Sequence, residues 1–260
     1  MPGFDETFAR LRAERRLGLF PYLMAGFPDL KTSPTILGAM ADAGADGFEI
    51  GIPFSDPMAD GLTMQRSNEA ALRGGANIMH AFELARSVTS RKPAVLMGYY
   101  NPILSLGLAE FCRSAKQVGA DGVIVPDLPP EEADDLREAC QVAGIHYVYF
   151  LAPTSTPDRI KRVAKVASGF LYCVALVGVT GARTELSDEL PDFLKRVRDA
   201  TDVPLVLGFG ISQPEHIRRV HGLVDGVIVS SAIADLLEQT SPDQRAKAVG
   251  DRVRELKAST

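Results

Sequence analysis

The sequence predicts a (β/α)8 TIM barrel with an extra helix at its amino end, and three observations carry that expectation. A phrase recurs as GADGFEIG at 44–51, GADGVIVP at 119–126 and VDGVIVS at 224–230. Each copy follows a helical pattern and opens an apolar run, as a helix end, a turn and a buried parallel strand would. The repeated aspartates, Asp46, Asp121 and Asp225, lie 75 and 104 positions apart. That is room for two and four strand–helix units of roughly 30 residues each. Eight units fit the 260 residues, and no Pro/Gly/Ser-rich linker divides them, so one domain over 1–260 is expected. A doubly wound open sheet is the alternative arrangement of the same units.

The elements follow in order. An extra helix, Asp5–Glu14, precedes the first strand, Leu19–Ala25. Thr35–Ala43 places Ile36, Leu37 and Met40 on one helical face, and Gly47–Gly51 is the second strand. Strands three and four read as Ala94–Gly98 and Gly122–Pro126. Pro130–Ala143 opens with Pro-Glu-Glu, the composition of a helix first turn. Strand five is Tyr147–Leu151. The helix Pro157–Val166 leads to strand six, Phe170–Val174, and the helix Pro191–Asp199 to strand seven, Pro204–Gly208. Gly226–Val229 is strand eight, and Asp243–Lys257 closes the chain.

Composition narrows the function. An apolar share of 46% supports a sizeable core. A net charge of -5 with no long basic run disfavours nucleic acid and anionic membrane as partners. The three cysteines, Cys112, Cys140 and Cys173, have neither disulfide-framework nor metal-site spacing and are expected as buried thiols. The amino end lacks a signal-peptide pattern, and no apolar run approaches the ~18 residues of a membrane span, so a cytoplasmic protein is expected.

Strand alternation singles out one carboxylate. On the second strand Phe48 and Ile50 share the face that packs on helices, which sends Glu49 into the barrel near its catalytic, carboxyl-terminal mouth. Desolvation there raises a carboxyl's pKa toward neutrality and suits it to proton exchange. A structural ion pair would need an inward Lys or Arg, and no strand end supplies one. Asp56 and Asp60 follow in the loop, where they serve either as turn residues or as working groups. The glycine-rich LGFGIS at 207–212 and the helix start within VSSAIADLL at 229–237 stand at the loops that bind phosphate in this fold. VGVTGAR at 177–183 adds further glycine-flanked N–H groups. The lysines (Lys92, Lys116, Lys161, Lys165, Lys195) sit on helices or strand entrances, which disfavours a Schiff base. His80, His146, His216 and His221 are scattered over helices and the start of strand five, which disfavours a metal site. Acid–base catalysis on a phosphorylated, partly apolar substrate remains.

FEIGIPFSDPMADG, LMGYYNPI, PDLPPEE, VGVTGARTEL and LGFGIS, in this order, resemble the tryptophan synthase alpha subunit family. The resemblance runs from LFPYLMAGFPD at 19–29 to SSAIADLL at 230–237. It implies a lyase of tryptophan biosynthesis that cleaves indole-3-glycerol phosphate to indole and glyceraldehyde 3-phosphate. Glu49 would be the catalytic acid–base, and Asp60 its partner at the indole N–H. The resemblance further implies an indole slot of Tyr22, Met97, Tyr99, Ile124 and Phe209, with Tyr172 after the sixth strand and Thr180 in a lid. Backbone groups of Gly181, Gly210 and Ser231 would hold phosphate. A stand-alone lyase and a non-catalytic phosphate-binding subunit are the alternatives. Three positions depart from the family's usual pattern. Tyr22 replaces Phe, Leu62 replaces Pro and is expected to loosen the Asp60 loop, and Ser230 replaces Gly beside the phosphate helix. No metal or cofactor is implied for this chain. Pyridoxal phosphate would belong to a beta subunit in an α2β2 heterotetramer, docked on the mouth at Pro53–Leu62 and around Asn101–Pro102.

Overall fold

A computed structural model of the chain describes residues 3–175 and 189–260. Eight parallel strands close into a barrel in chain order. They are β1 (Gly18–Met24), β2 (Phe48–Gly51), β3 (Ala94–Met97), β4 (Gly122–Ile124), β5 (His146–Leu151), β6 (Leu171–Val174), β7 (Leu205–Gly208) and β8 (Gly226–Val229). All seven residues of β1 are buried, as expected of a strand covered by helices outside and packed side chains inside.

Register sets the interior. Tyr22 lies beside Glu49, Glu49 beside Val95, and Met97 beside Ile124. Level neighbours in a parallel sheet share a face, so these side chains line the barrel while Phe48 and Ile50 pack outward, both fully buried. Glycines make the interior layers fit. An added Cβ at Gly18 or Gly226 would lie 2.5 Å from the Phe20 ring, so both positions leave room for that ring. Higher up, Cβ atoms at Gly51 and Gly208 would collide with the Tyr22 and Tyr172 hydroxyls. The two tyrosines occupy that space and run up the interior toward the mouth.

The extra helix, α1 (Phe4–Ala13), closes the amino end of the barrel. It buries Phe4, Thr7, Phe8 and Leu11, a 3–4 residue spacing that makes one apolar stripe. Phe4 and Phe8 meet Phe20 and Phe170 with ring centroids 5.2 to 6.0 Å apart. The repeated aspartates anchor the same end. Asp46 accepts the Leu19 N–H at 2.9 Å, Asp225 that of Leu205 at 2.8 Å, and Asp121 that of Phe4. Burial alone would raise Asp46, but Lys257, Arg16 and the Leu19 N–H outweigh it and hold the carboxyl below its ordinary value. Lys257 belongs to the last helix, α12 (Arg245–Lys257), so this one carboxylate ties β1 to both ends of the chain.

Most expected boundaries hold within one or two residues; one helix start does not. The helix after β4 begins at Asp134 rather than Pro130 (α7, Asp134–Ala143). Pro130, Glu131 and Glu132 form a turn in which the Glu132 N–H reaches Pro129 O at 2.9 Å, three residues back instead of four. Glu131 is instead used laterally, pairing with Arg159 at 3.1 Å and Arg162 at 3.3 Å on α8 (Pro157–Val166). All three cysteines are buried and free, with Cys112 and Cys140 sulfurs 3.6 Å apart.

The interior glycines yield a paired prediction. Gly226→Ala should destabilise the fold by about 1–3 kcal/mol through overpacking against Phe20. Gly38→Ala, on α2 (Ser33–Asp42) with nothing within 4 Å of its new Cβ, should stabilise by about 0.5–1 kcal/mol. Urea denaturation of both variants reads the difference.

Candidate active site

Glu49 sits mid-barrel on β2, only 2% exposed. Its neighbours are apolar or phenolic, and among the described residues no cation pairs with it. Burial first, and then the charge of Asp60, push its pKa up to about 8. Such a carboxyl is mostly protonated at neutral pH, yet loses its proton at modest cost.

Asp60 belongs to the loop between β2 and α3 (Leu62–Arg73) and is folded back into the barrel mouth, 6% exposed. Burial raises its pKa, and hydrogen bonds from the Tyr99 hydroxyl and the Asn68 amide oppose the rise, leaving it at about 6. Asn68 Nδ2 donates to Asp60 Oδ2 at 3.0 Å. Tyr99 Oη accepts the Ala59 N–H at 3.0 Å, so its own proton is available to Asp60. Gln65 Nε2 donates to the Asp60 carbonyl at 2.9 Å, and the Asp60 N–H reaches Pro57 O at 3.0 Å. Leu62 opens α3 and is 71% exposed, and these bonds hold the preceding loop without a proline there. Two carboxyls whose values straddle neutrality make an acid–base pair: a proton held on one and a negative charge on the other.

The expected slot residues divide in two. Tyr22, Met97, Ile124 and Tyr172 line the interior around Glu49, and Phe209 meets Tyr172 edge-on at 5.9 Å. Burial, Asp60 and Glu49 push the Tyr22 hydroxyl well above its ordinary value, so it remains a donor, and among the described residues its proton goes to the Met24 sulfur at 3.9 Å. Tyr99 stands instead on the loop side, its ring stacked on Phe54 at 5.2 Å and its hydroxyl engaged with Ala59 and Asp60. Through these contacts Tyr99, expected in the slot, also clamps the loop. Asp56 is exposed and bonded to its neighbour Ser55, as a turn residue would be.

Phe209 and Gly210 have left-handed backbones, with φ of 63° and 88°. A left-handed non-glycine residue is uncommon, which makes the end of β7 a deliberate bend. Ser231 is the first residue of α11 (Ser231–Gln239), and its N-cap Ser230 makes no side-chain cap bond. The Ile233 and Ala234 N–H groups turn back to Ser230 O at 3.0 and 3.1 Å, so the N–H groups of Ser231 and Ala232 at the very start of the helix are the ones that suit an anion. Thr180 and Gly181 lie outside the described residues.

Three contributors escaped the sequence reading. Asn68 and Gln65 lie on α3, where the buried stripe Met64, Ser67, Asn68 and Ala71 marks an inward polar residue at helical spacing. Phe150 shares a face with Val148 on β5 and lies 4.6 Å from the Tyr172 ring, which strand alternation could have shown. Among the described residues no group of three His, Cys, Asp or Glu converges as a metal site would. A surface cleft of about 730 Å3 lies at the amino end between α1 and residues 221–225, where Arg12 and Arg198 are already paired with Asp225.

Glu49 is placed at a cost to stability. Its folded pKa of about 8 exceeds the ordinary 4.5, so between those values the folded chain holds a proton that the unfolded chain releases. This contribution is fully favourable at low pH, and stability falls as pH rises through that window. Glu49→Gln should therefore stabilise the protein near pH 7 by on the order of 2–3 kcal/mol, with the gain vanishing toward pH 4.5. Denaturation midpoints at several pH values check this.

Comparison with known proteins agrees with this geometry. The family model for the tryptophan synthase alpha chain matches residues 8–260. The tryptophan synthase alpha chain of Roseiflexus sp. strain RS-1 is 49% identical over 260 residues, covering 99% of this chain and 100% of its own length. That of Chloroflexus aurantiacus is 48% identical, covering 98% of this chain and 97% of its own. Among solved structures, tryptophan synthase subunit alpha from Legionella pneumophila superposes with a TM-score of 0.90 at 32% identity, covering 100% and 98% of the two chains. Mycobacterium tuberculosis tryptophan synthase superposes with a TM-score of 0.92 at 33% identity, covering 98% and 97%. A closed barrel holding a buried carboxylate that no cation pairs with among the described residues, together with near-full-length similarity of this kind, has one reading: the chain belongs to the tryptophan synthase alpha chain family.

Proposed function

We propose that Glu49 and Asp60 carry out the reaction of this family, the retro-aldol cleavage of indole-3-glycerol phosphate to indole and glyceraldehyde 3-phosphate. The chain is a carbon–carbon lyase of tryptophan biosynthesis. One observation supports these roles above the rest: two buried carboxyls in the barrel, with no cation beside them among the described residues, have pKa values of about 8 and about 6.

Protonated Glu49 delivers its proton to indole C3, and the positive charge that develops on the ring is drawn to the ring nitrogen. Ionised Asp60 accepts the N–H hydrogen bond and stabilises that charge. The Glu49 carboxylate then takes the proton of the adjacent glycerol hydroxyl. The C–C bond breaks, its electron pair returns to the ring, and the new carbonyl becomes the aldehyde. Glu49 ends protonated and ready for the next turnover. Tyr22, Met97, Ile124, Tyr172 and Phe209 wall the indole. N–H groups at Gly210 and Ser231 hold the phosphate, with Gly181 in the same role.

The partner is the family's beta subunit, and we propose an α2β2 assembly in the cytoplasm in which pyridoxal phosphate belongs to that subunit. Large apolar side chains on or beside the expected docking loops support the mouth as the interface: Met58 is 78% exposed, Leu62 71% and Leu104, on α5 (Tyr100–Leu106), 51%. Two unbonded thiols 3.6 Å apart fit a reducing compartment.

Indole release from indole-3-glycerol phosphate, measured with and without a beta subunit, tests this reading. Glu49→Gln should lose the activity, and Asp60→Asn should lose roughly 100-fold or more, both with an intact fold. The wild-type pH–rate profile should be a bell that falls below about 6 as Asp60 protonates and above about 8 as Glu49 ionises. Near-normal turnover by Glu49→Gln would overturn the mechanism. Leu104→Asp should weaken beta-subunit binding by about tenfold or more in a calorimetric titration, with cleavage by the isolated chain unchanged.

A further inference from the structure

We propose that Asn68 is a positioning residue that aims the Asp60 carboxylate into the slot and ties that aim to the loop of residues 52–61. The inference rests on the reading of Asp60 as the acceptor of the indole N–H.

Asn68 is 2% exposed on α3, and each polar atom of its amide has a partner. Oδ1 accepts the Phe54 N–H at 3.0 Å. Nδ2 donates to Asp60 Oδ2 at 3.0 Å and to Met64 O at 3.3 Å. The amide has one workable orientation. A backbone N–H can only donate, so it must face the oxygen, and an ionised carboxylate can only accept, so it must face the NH2 group. The Tyr99 hydroxyl is committed in the same way, because it already accepts the Ala59 N–H and has one proton to give. Asp60 is therefore held by an amide from α3 and a phenol from the end of β3, while Phe54 and Ala59 are fastened to those same two side chains.

The other titratable groups that face Asp60 are Glu49 on β2, Tyr22 on β1 and Tyr172 on β6. None of these is a cation. Burial raises the Asp60 carboxyl, and among the described residues only Tyr99 and Asn68 lower it by hydrogen bonding. Without Asn68, Asp60 moves toward the range of Glu49, both carboxyls hold protons near neutrality, and the N–H acceptor is lost. The loop loses its anchor at Phe54 in the same step.

The test is a carboxyl NMR titration of Asp60 in the substrate-free protein, assigned by its absence from Asp60→Asn, alongside the pH–rate profile. Asn68→Ala should raise the Asp60 midpoint by about one pH unit or more, the worth of one charge-assisted hydrogen bond. The acid limb of the rate profile should move up equally, with cleavage at pH 6 reduced by roughly fivefold or more. Asn68→Asp keeps an acceptor for the Phe54 N–H but replaces the donor to Asp60 with a second carboxyl, and it should shift the midpoint upward as well. A wild-type midpoint in Asn68→Asp, with native circular dichroism, would reduce Asn68 to a loop anchor and overturn the proposal, whether or not Asn68→Ala folds. If the wild-type chain releases no indole, the proposed function fails, whereas the NMR midpoint still reports what Asn68 does to Asp60.

Discussion

A closed parallel sheet gives half the side chains of each strand nowhere to go but the barrel interior, and the arrangement of this molecule follows from filling that space. The interior must be packed, because a void there forfeits contacts that nothing else restores. Rings of Phe20, Phe170, Phe4 and Phe8 fill the amino end, and glycines at 18 and 226 leave room for them. Toward the other end Tyr22 and Tyr172 rise into the space left by Gly51 and Gly208. Glu49 stands buried among these side chains, and no cation among the described residues compensates it.

The two ends treat charge in opposite ways. At the amino end, Asp46 and Asp225 are buried with guanidinium and ammonium partners and backbone N–H donors, so their carboxyls stay ionised below their ordinary range. They fasten α1, α12 and neighbouring strands into one frame. At the carboxyl end Glu49 and Asp60 are buried with no cation beside them among the described residues, and they titrate upward. Burial is the same in kind; the presence of partners decides whether a buried aspartate or glutamate is a clamp or a proton carrier.

The loop after β2 completes that contrast. A segment bearing Asp56, Met58 and Leu62 on its outside carries Asp60 inward, and Asn68, Gln65 and Tyr99 hold it there. The same short stretch thus has an exposed apolar side and a buried carboxylate. A partner that moves the loop has a direct mechanical route to Asp60, because the bonds from Phe54 and Ala59 end on the side chains that hold that carboxylate.

Some of this was legible in the amino-acid order alone. The strand–helix rhythm, the recurring GADG phrase and the inward position of Glu49 depend on local periodicity, which a sequence displays directly. Gly226 read simply as the first residue of strand eight, yet its work is to make room for Phe20, a residue some 200 positions away. Asp60 read equally well as a turn former or a catalytic group, and Tyr99 read as a wall. Their roles come from a loop folding back so that Ala59, Asp60, Asn68 and Tyr99 meet across two elements. The sequence by itself determined the barrel and its central carboxylate, because alternation is written residue by residue. Only the tertiary structure decided the second carboxylate's partners and titration, because hydrogen bonds between distant segments leave no periodic trace.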